Sequence, residues 1–117
     1  MGAAVRLANG MIFRGSNQEN ISFPVGLCAE RVALFSAMAA GTDSAVVAVA
    51  ITAKADDFPV TDPVTPCGMC RQALLEYEMK FSQPVRLIMS GESGSVIVIG
   101  SVQQLLPLAF VEKGLIK

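Results

Sequence analysis

The chain opens with two short apolar runs, Ala3–Leu7 and Met11–Phe13, on either side of Asn9-Gly10. Asn-Gly is the strongest short hairpin signal, because both residues tolerate positive φ, so a β-hairpin is expected here. Residues 15–27 are turn-rich and polar, then apolar, punctuated by Pro24 and Gly26, and read as a loop. From Cys28 to Ala40 the chain turns to Ala, Leu, Phe and Met, which suits a buried helix ended by Gly41. Ala45–Ala53 is Val-rich and almost continuously apolar, which predicts a strand covered on both faces. Residues 56–66 hold three prolines and read as a loop. Cys67–Phe81 has helical spacing, with Ala73, Leu74, Tyr77 and Phe81 on one side. Val85–Met89 and Val96–Ile99 read as two strands around a turn at Gly91–Gly94. Ser101 is a good N-cap for a helix over Val102–Leu106, which Pro107 stops. The order β-β-α-β-α-β-β-α predicts an α/β domain with helices packed on a mixed sheet.

Composition changes this picture in one respect. Hydrophobic residues make up 52% of the 117 and charged residues 16%, against about 25% charged in an average soluble protein. A single domain over 1–117 leaves too much surface outside to bury that apolar material alone, so the excess points to subunit interfaces. The longest apolar run, Ala45–Ile51, falls far short of the roughly 18 residues of a membrane span. The first residues lack the basic start and apolar stretch of a secretion signal. Net charge is −1 with Lys and Arg scattered, which leaves no electrostatic footprint for nucleic acid. Three cysteines cannot all pair within one chain, and without a signal they fit a reduced cytoplasmic setting with thiols free to bind metal.

Candidate chemistry gathers at those cysteines. Pro66-Cys67-Gly68-Met69-Cys70 sets two thiols three residues apart at a helix start, on one face, where both reach one ion at about 2.3 Å. Partial positive charge at a helix N-terminus favours the thiolate, and Cys28 begins the other long helix with the same help. Three protein ligands leave tetrahedral zinc one open position, as in a catalytic site. With no histidine in the chain, Asp, Glu or water takes that position, water being the simplest. A lone C-x-x-C also suits a redox pair or half of a closed zinc site. The first needs neither a third cysteine nor Glu30, and the second needs a fourth strong ligand. Glu30 stands beside the metal without having to ligate it, so it is placed to accept a proton. Three thiolates outweigh the charge of zinc, and Arg31, three residues after Cys28 on the same face, can donate to the sulfurs.

The combined pattern C-A-E … P-C-x-x-C resembles the signature of the zinc nucleoside deaminases. Within them the chain is most similar to the short, homotetrameric cytidine deaminases of the three-cysteine type. Cys28-Ala29-Glu30-Arg31 and Pro66-Cys67-Gly68-Met69-Cys70-Arg71-Gln72 match the two core motifs of that family. Asn17-Gln18-Glu19-Asn20 resembles its ribose-binding motif and Leu105-Leu106-Pro107-Leu108-Ala109-Phe110 its C-terminal segment. The resemblance implies a three-layer fold with a mixed five-stranded sheet flanked by helices. It also implies one zinc per subunit, held by Cys28, Cys67 and Cys70, and a nucleoside substrate.

On the same resemblance, Glu30 protonates N3 of cytosine as hydroxide attacks C4, then helps protonate the departing ammonia. Asn17 and Glu19 bind the ribose hydroxyls, Ala29 touches the substrate, and Phe110 stacks on the base from a neighbouring subunit. Phe23 stands where relatives often carry Tyr. The implied activity is hydrolytic deamination of cytidine or deoxycytidine in pyrimidine salvage, by a cytoplasmic enzyme that engages neither nucleic acid nor membrane. Relatives usually begin with a helix that covers one sheet face, whereas here Met1 falls almost at the first strand, so the chain reads as lacking that helix. The alternatives are a deaminase of a modified cytosine nucleoside, such as an aminoacyl-nucleoside antibiotic, and a zinc-binding oligomer impaired in catalysis.

Overall fold

The structure is a computed structural model, and it describes residues 1–111. Strands β1 (Gly2–Leu7) and β2 (Ile12–Ser16) form the expected hairpin, with Val5 opposite Phe13. Gly10 N–H donates to Leu7 O at 2.9 Å and Asn9 Oδ1 accepts from Met11 N–H at 2.9 Å. Only Gly10 takes a positive φ, of 90°, so the turn uses the freedom of the glycine and the side chain of the asparagine. Helix α1 (Ala29–Ala39) follows, then β3 (Val46–Thr52), α2 (Gly68–Lys80), β4 (Arg86–Met89) and β5 (Ile97–Ile99).

The strands lie in the order β2-β1-β3-β4-β5. Only β3 and β4 are parallel, and α2 makes the crossover that such a pair requires. The α/β class and the mixed five-stranded sheet flanked by helices are therefore as expected.

One face of that sheet holds the core. Val5, Leu7, Val49, Ile51, Leu87 and Met89 are buried there with Ala33, Leu34 and Ala37 of α1 and Leu74 and Leu75 of α2. Ala29, Ala33 and Ala37 recur every four residues, so a strip of small side chains lets α1 come close to the hairpin. Gly15 on β2 completes that approach. A methyl group there would lie 2.8 Å from Ala29 O and 2.5 Å from Ala33 N.

Two expectations need correction. β3 is not covered on both faces among the described residues: Val46, Val49 and Ile51 are buried, Ala48 and Ala50 only partly, and Thr52 is exposed. Both α-helices share the other side, so the apolar run is relieved by alanines where no layer covers it. The last helix is also not an α-helix but a four-residue 3-10 helix, Val102–Leu105. Ser101 caps it as expected, and Gln104 reaches back to complete a capping box. Leu106, the residue before Pro107, sits at φ −137°, ψ 72°, because the proline ring excludes it from helical geometry. A second 3-10 helix, Phe23–Val25, has Pro24 as its second residue, in what the sequence reads as plain loop.

Candidate metal centre and substrate pocket

Cys28 and Cys67 are the N-cap residues of α1 and α2, and Cys70 lies in the first turn of α2. The crossing of two helix starts brings the three sulfurs together, all within 4.8 Å of one another. Cys28 Sγ is 3.7 Å from Cys67 Sγ, which is 3.5 Å from Cys70 Sγ. Tetrahedral zinc with sulfur ligands at about 2.3 Å spaces them by roughly 3.8 Å, so small adjustments close the set around one ion. The three differ in exposure: Cys70 is buried, Cys28 half-buried and Cys67 exposed.

Their surroundings differ accordingly. Burial pushes the Cys70 thiol far above the usual thiol range, and the Cys67 thiol and Glu30 carboxylate add to the effect. For Cys67 burial acts in the same upward direction, but the N–H groups of Cys70 and Met69 and the two neighbouring thiols outweigh it and lower its pKa. These N–H groups are the free donors of the α2 N-terminus. Arg31 Nη2 donates to Cys28 Sγ at 3.7 Å. That bond, with help from Cys70, raises the guanidinium pKa against the opposing effect of burial.

Glu30 is 1% exposed, and its Oε1 has no hydrogen-bond partner. A buried carboxylate oxygen left unpaired is costly and is retained where something polar is meant to meet it. Three sulfurs, a carboxylate with one buried oxygen left unpaired and a cation bonded to a sulfur fit a divalent thiophilic ion with an oxygen species beside it.

Next to the sulfurs lies a depression of about 290 Å³, whose walls include Asn17, Glu19, Phe23, Cys28, Arg31 and Met69. A bridge places the loop: Gln18 N–H donates to Leu27 O at 2.8 Å and Leu27 N–H to Gln18 O at 2.9 Å. This folds Asn17 and Glu19 back to the start of α1. Asn17 Nδ2 donates to Glu19 Oε1 at 2.7 Å, so the two polar side chains act as one unit.

Five of the expected site residues thus converge: Cys28, Arg31, Asn17 and Glu19 on the pocket, and Glu30 buried beside Cys70. Ala29 is fully buried against the sheet and does not form a wall of the pocket. Phe110 is 77% exposed and also lies outside it, tethered by Gln72 Nε2 donating to Phe110 O at 3.2 Å. Simple core packing of Phe110 is therefore not what this chain does.

Two buried or clamped side chains were not legible beforehand. Glu78 is 3% exposed and accepts from Val85 N–H at 2.7 Å, Val102 N–H at 3.1 Å and Ser101 Oγ at 2.9 Å. It ties α2 to the start of β4 and to the last 3-10 helix. Arg71 is the other, with both ends of its guanidinium engaged by backbone carbonyls. Only a charged residue amid an apolar helix face could have hinted at Glu78, and nothing in the sequence marks which carbonyls Arg71 meets.

Residues 1–83 match the family described as the cytidine and deoxycytidylate deaminase zinc-binding region. Two similar proteins are the cytidine deaminases of Halalkalibacterium halodurans and Sporosarcina psychrophila. The first is 37% identical over 94% of this chain and 76% of its own length. The second is 37% identical over 98% and 77% respectively. Among solved structures, the cytidine deaminase from Burkholderia pseudomallei is similar with a TM-score of 0.78 and 37% identity. That match covers 93% of this chain and 80% of the other.

Proposed function

The chain belongs to the cytidine and deoxycytidylate deaminase zinc-binding family, and on that premise we propose that it is a hydrolase converting cytidine or deoxycytidine to the uracil nucleoside. Water is consumed and ammonia released. The observation that carries the reading is the juxtaposition of three clustered thiols with a buried carboxylate oxygen that has no partner.

Cys28, Cys67 and Cys70 hold one zinc per subunit in this reading. When bound there, zinc supplies Lewis acidity that makes water nucleophilic near neutral pH. Glu30 takes the proton from that water and delivers it to N3 of the cytosine ring, so that C4 becomes open to attack. As the C4–O bond forms, Glu30 then takes the proton of the new C4 hydroxyl and passes it to the amino group, and ammonia departs as the C4–N bond breaks and the C4 carbonyl forms. One carboxylate moving protons in both directions is general acid–base catalysis, and burial near the sulfurs keeps it from solvent. Arg31 offsets the surplus negative charge of three thiolates by its bond to Cys28.

Asn17 and Glu19 bind the sugar hydroxyls from the pocket wall, while Ala29, buried at the start of α1, supports the turn that carries Cys28 and Glu30. Arg31 is the only basic side chain among the pocket walls and is committed to Cys28, and the N-terminal amine of Met1, also at the wall, donates to Asn17 Oδ1 at 2.8 Å. This favours a nucleoside over a nucleotide, whose phosphate calls for a free cation.

The assembly is a homotetramer in which Phe110 serves a neighbouring subunit. Support comes from large apolar side chains left in solvent, Ile21 at 97% and Leu108 at 98% exposed among them, and from the uncovered sheet face. No helix among the described residues is long and apolar enough to cross a membrane. The described residues form one domain, and three free thiols suit a reducing cytoplasm, where the reaction serves pyrimidine salvage.

The test is ammonia release from cytidine, deoxycytidine and their 5′-phosphates by the zinc-loaded chain, with Glu30→Gln as control. Turnover of the nucleosides that falls by about 10²-fold or more in the variant, with zinc retained, supports the reading. Full zinc occupancy with no turnover of any of these substrates would leave the chain a zinc-binding oligomer.

A further inference from the structure

The reaction scheme uses Cys67 but not the residue that fixes the chain around it. Cys67 is the exposed member of the cysteine set, whereas Cys70 is buried and Cys28 half-buried. Solvent and competing ligands therefore reach Cys67 before the other two, so what restrains Cys67 bears on how readily an ion leaves.

The restraint is Arg71. Pro66, just before Cys67, is buried, and a buried carbonyl needs a donor. Arg71 Nε donates to Pro66 O at 2.8 Å, while Arg71 N–H donates to Cys67 O at 2.9 Å. The second is the ordinary backbone bond of the first turn of α2, so what the side chain adds is the hold on the Pro66 carbonyl, directly before Cys67. Nη1 of the same guanidinium donates to Leu105 O at 3.3 Å, at the end of the last 3-10 helix. The planar fork suits two carbonyls in fixed directions, which the single ammonium of a lysine does not reproduce.

We infer that Arg71 is a positioning residue for the metal: it holds the chain directly before Cys67, keeps the Cys67 sulfur against the other two, and slows release of zinc. The inference rests on the reading of Cys28, Cys67 and Cys70 as the zinc ligands. Its action differs from that of Arg31, which touches a sulfur and adjusts charge. Arg71 acts through the backbone.

The experiment follows zinc release from the zinc-loaded full chain into excess chromophoric chelator, and the thiolate-to-metal and d–d bands of the cobalt(II) form. Arg71→Ala releases zinc about 10-fold faster or more, with displaced d–d bands, as expected when support behind a ligand is lost. Arg71→Lys, able to hold only one carbonyl, falls between. Gln72→Ala, which frees Phe110 O alone, releases zinc at the wild-type rate. A wild-type rate and an unchanged cobalt spectrum in Arg71→Ala, with only a lower melting temperature, would make Arg71 a strut and overturn the inference. If Arg71→Ala does not fold, a wild-type rate in Arg71→Lys overturns it equally. Failure of the ligand reading shows separately, before any Arg71 variant. In that case the wild-type chain lacks thiolate-to-cobalt bands, or Cys28→Ser keeps zinc as well as wild type, and the inference falls with it.

Discussion

Gly15 faces the backbone of Ala33 so closely that a methyl group on it would stand 2.5 Å from the Ala33 amide nitrogen. Ala29 O, which begins the first turn of α1, would be 2.8 Å away. Both neighbours are main-chain atoms of the helix that carries Cys28 and Glu30, and neither can swing aside. Gly15→Ala is therefore expected to cost about 1–3 kcal/mol of stability through overpacking. It also pushes the start of α1 away from the strand leading to Asn17, so kcat/KM falls with it. Denaturant midpoints and steady-state kinetics check both, and an unchanged midpoint would mean that the helix gives way freely.

Glu78 is the second structural test. Its removal in Glu78→Ala strands the buried N–H groups of Val85 and Val102, at roughly 1–3 kcal/mol for each donor left unpaired. The expected result is a marked loss of thermal stability with zinc stoichiometry unchanged, since Glu78 lies at the far end of α2 from the cysteines. A lower zinc content at a normal melting temperature would contradict this assignment.

Arg31→Ala removes the cation from Cys28 Sγ and leaves three thiolates with more negative charge than one zinc can balance. Loss of such a supporting partner weakens metal binding or activity by about 10- to 100-fold. Competition with a chelator of known affinity, together with kcat on the zinc-loaded variant, decides the matter. Full activity at full occupancy would refute the role.

Glu19→Ala tests the sugar contact. One hydrogen bond to a charged group contributes about 1.5–3 kcal/mol, which corresponds to a KM for cytidine raised roughly 10- to 100-fold. Zinc content should not change, because Glu19 reaches Asn17 and not the sulfurs. If KM stays put, the sugar binds elsewhere.

The clustering of the three cysteines is the most legible part of the chain, for a physical reason. Cys67 and Cys70 are neighbours on one helix turn, and spacing along a helix is a local property. Cys28 lies 39 residues from Cys67, yet its place at a second helix start let the two be connected. The sequence shows Glu30 as a residue but not its burial or its unpaired Oε1, since burial depends on what packs over it. Arg71 was visible only as part of a motif, because the carbonyls it holds belong to Pro66 and Leu105, and the second is 34 residues away. The last helix departs from the α-helix its cap and stop predict, because too few residues lie between Ser101 and Pro107 to pass beyond a 3-10 turn.

By itself, the order of apolar runs, caps and glycines along the chain determined the strands, the two long helices and the cysteines at their starts. These depend on interactions within a few residues, which a sequence carries directly. Tertiary structure alone decided that both α-helices share one face of the sheet, leaving Ala48 and Ala50 on the uncovered side. It also decided that Glu30 Oε1 is buried without a partner while Arg31 keeps a sulfur, and that Gly15 admits α1 to the hairpin. Each of these follows from which distant backbone comes to lie against which side chain, and that is fixed only when the sheet order β2-β1-β3-β4-β5 closes around the core.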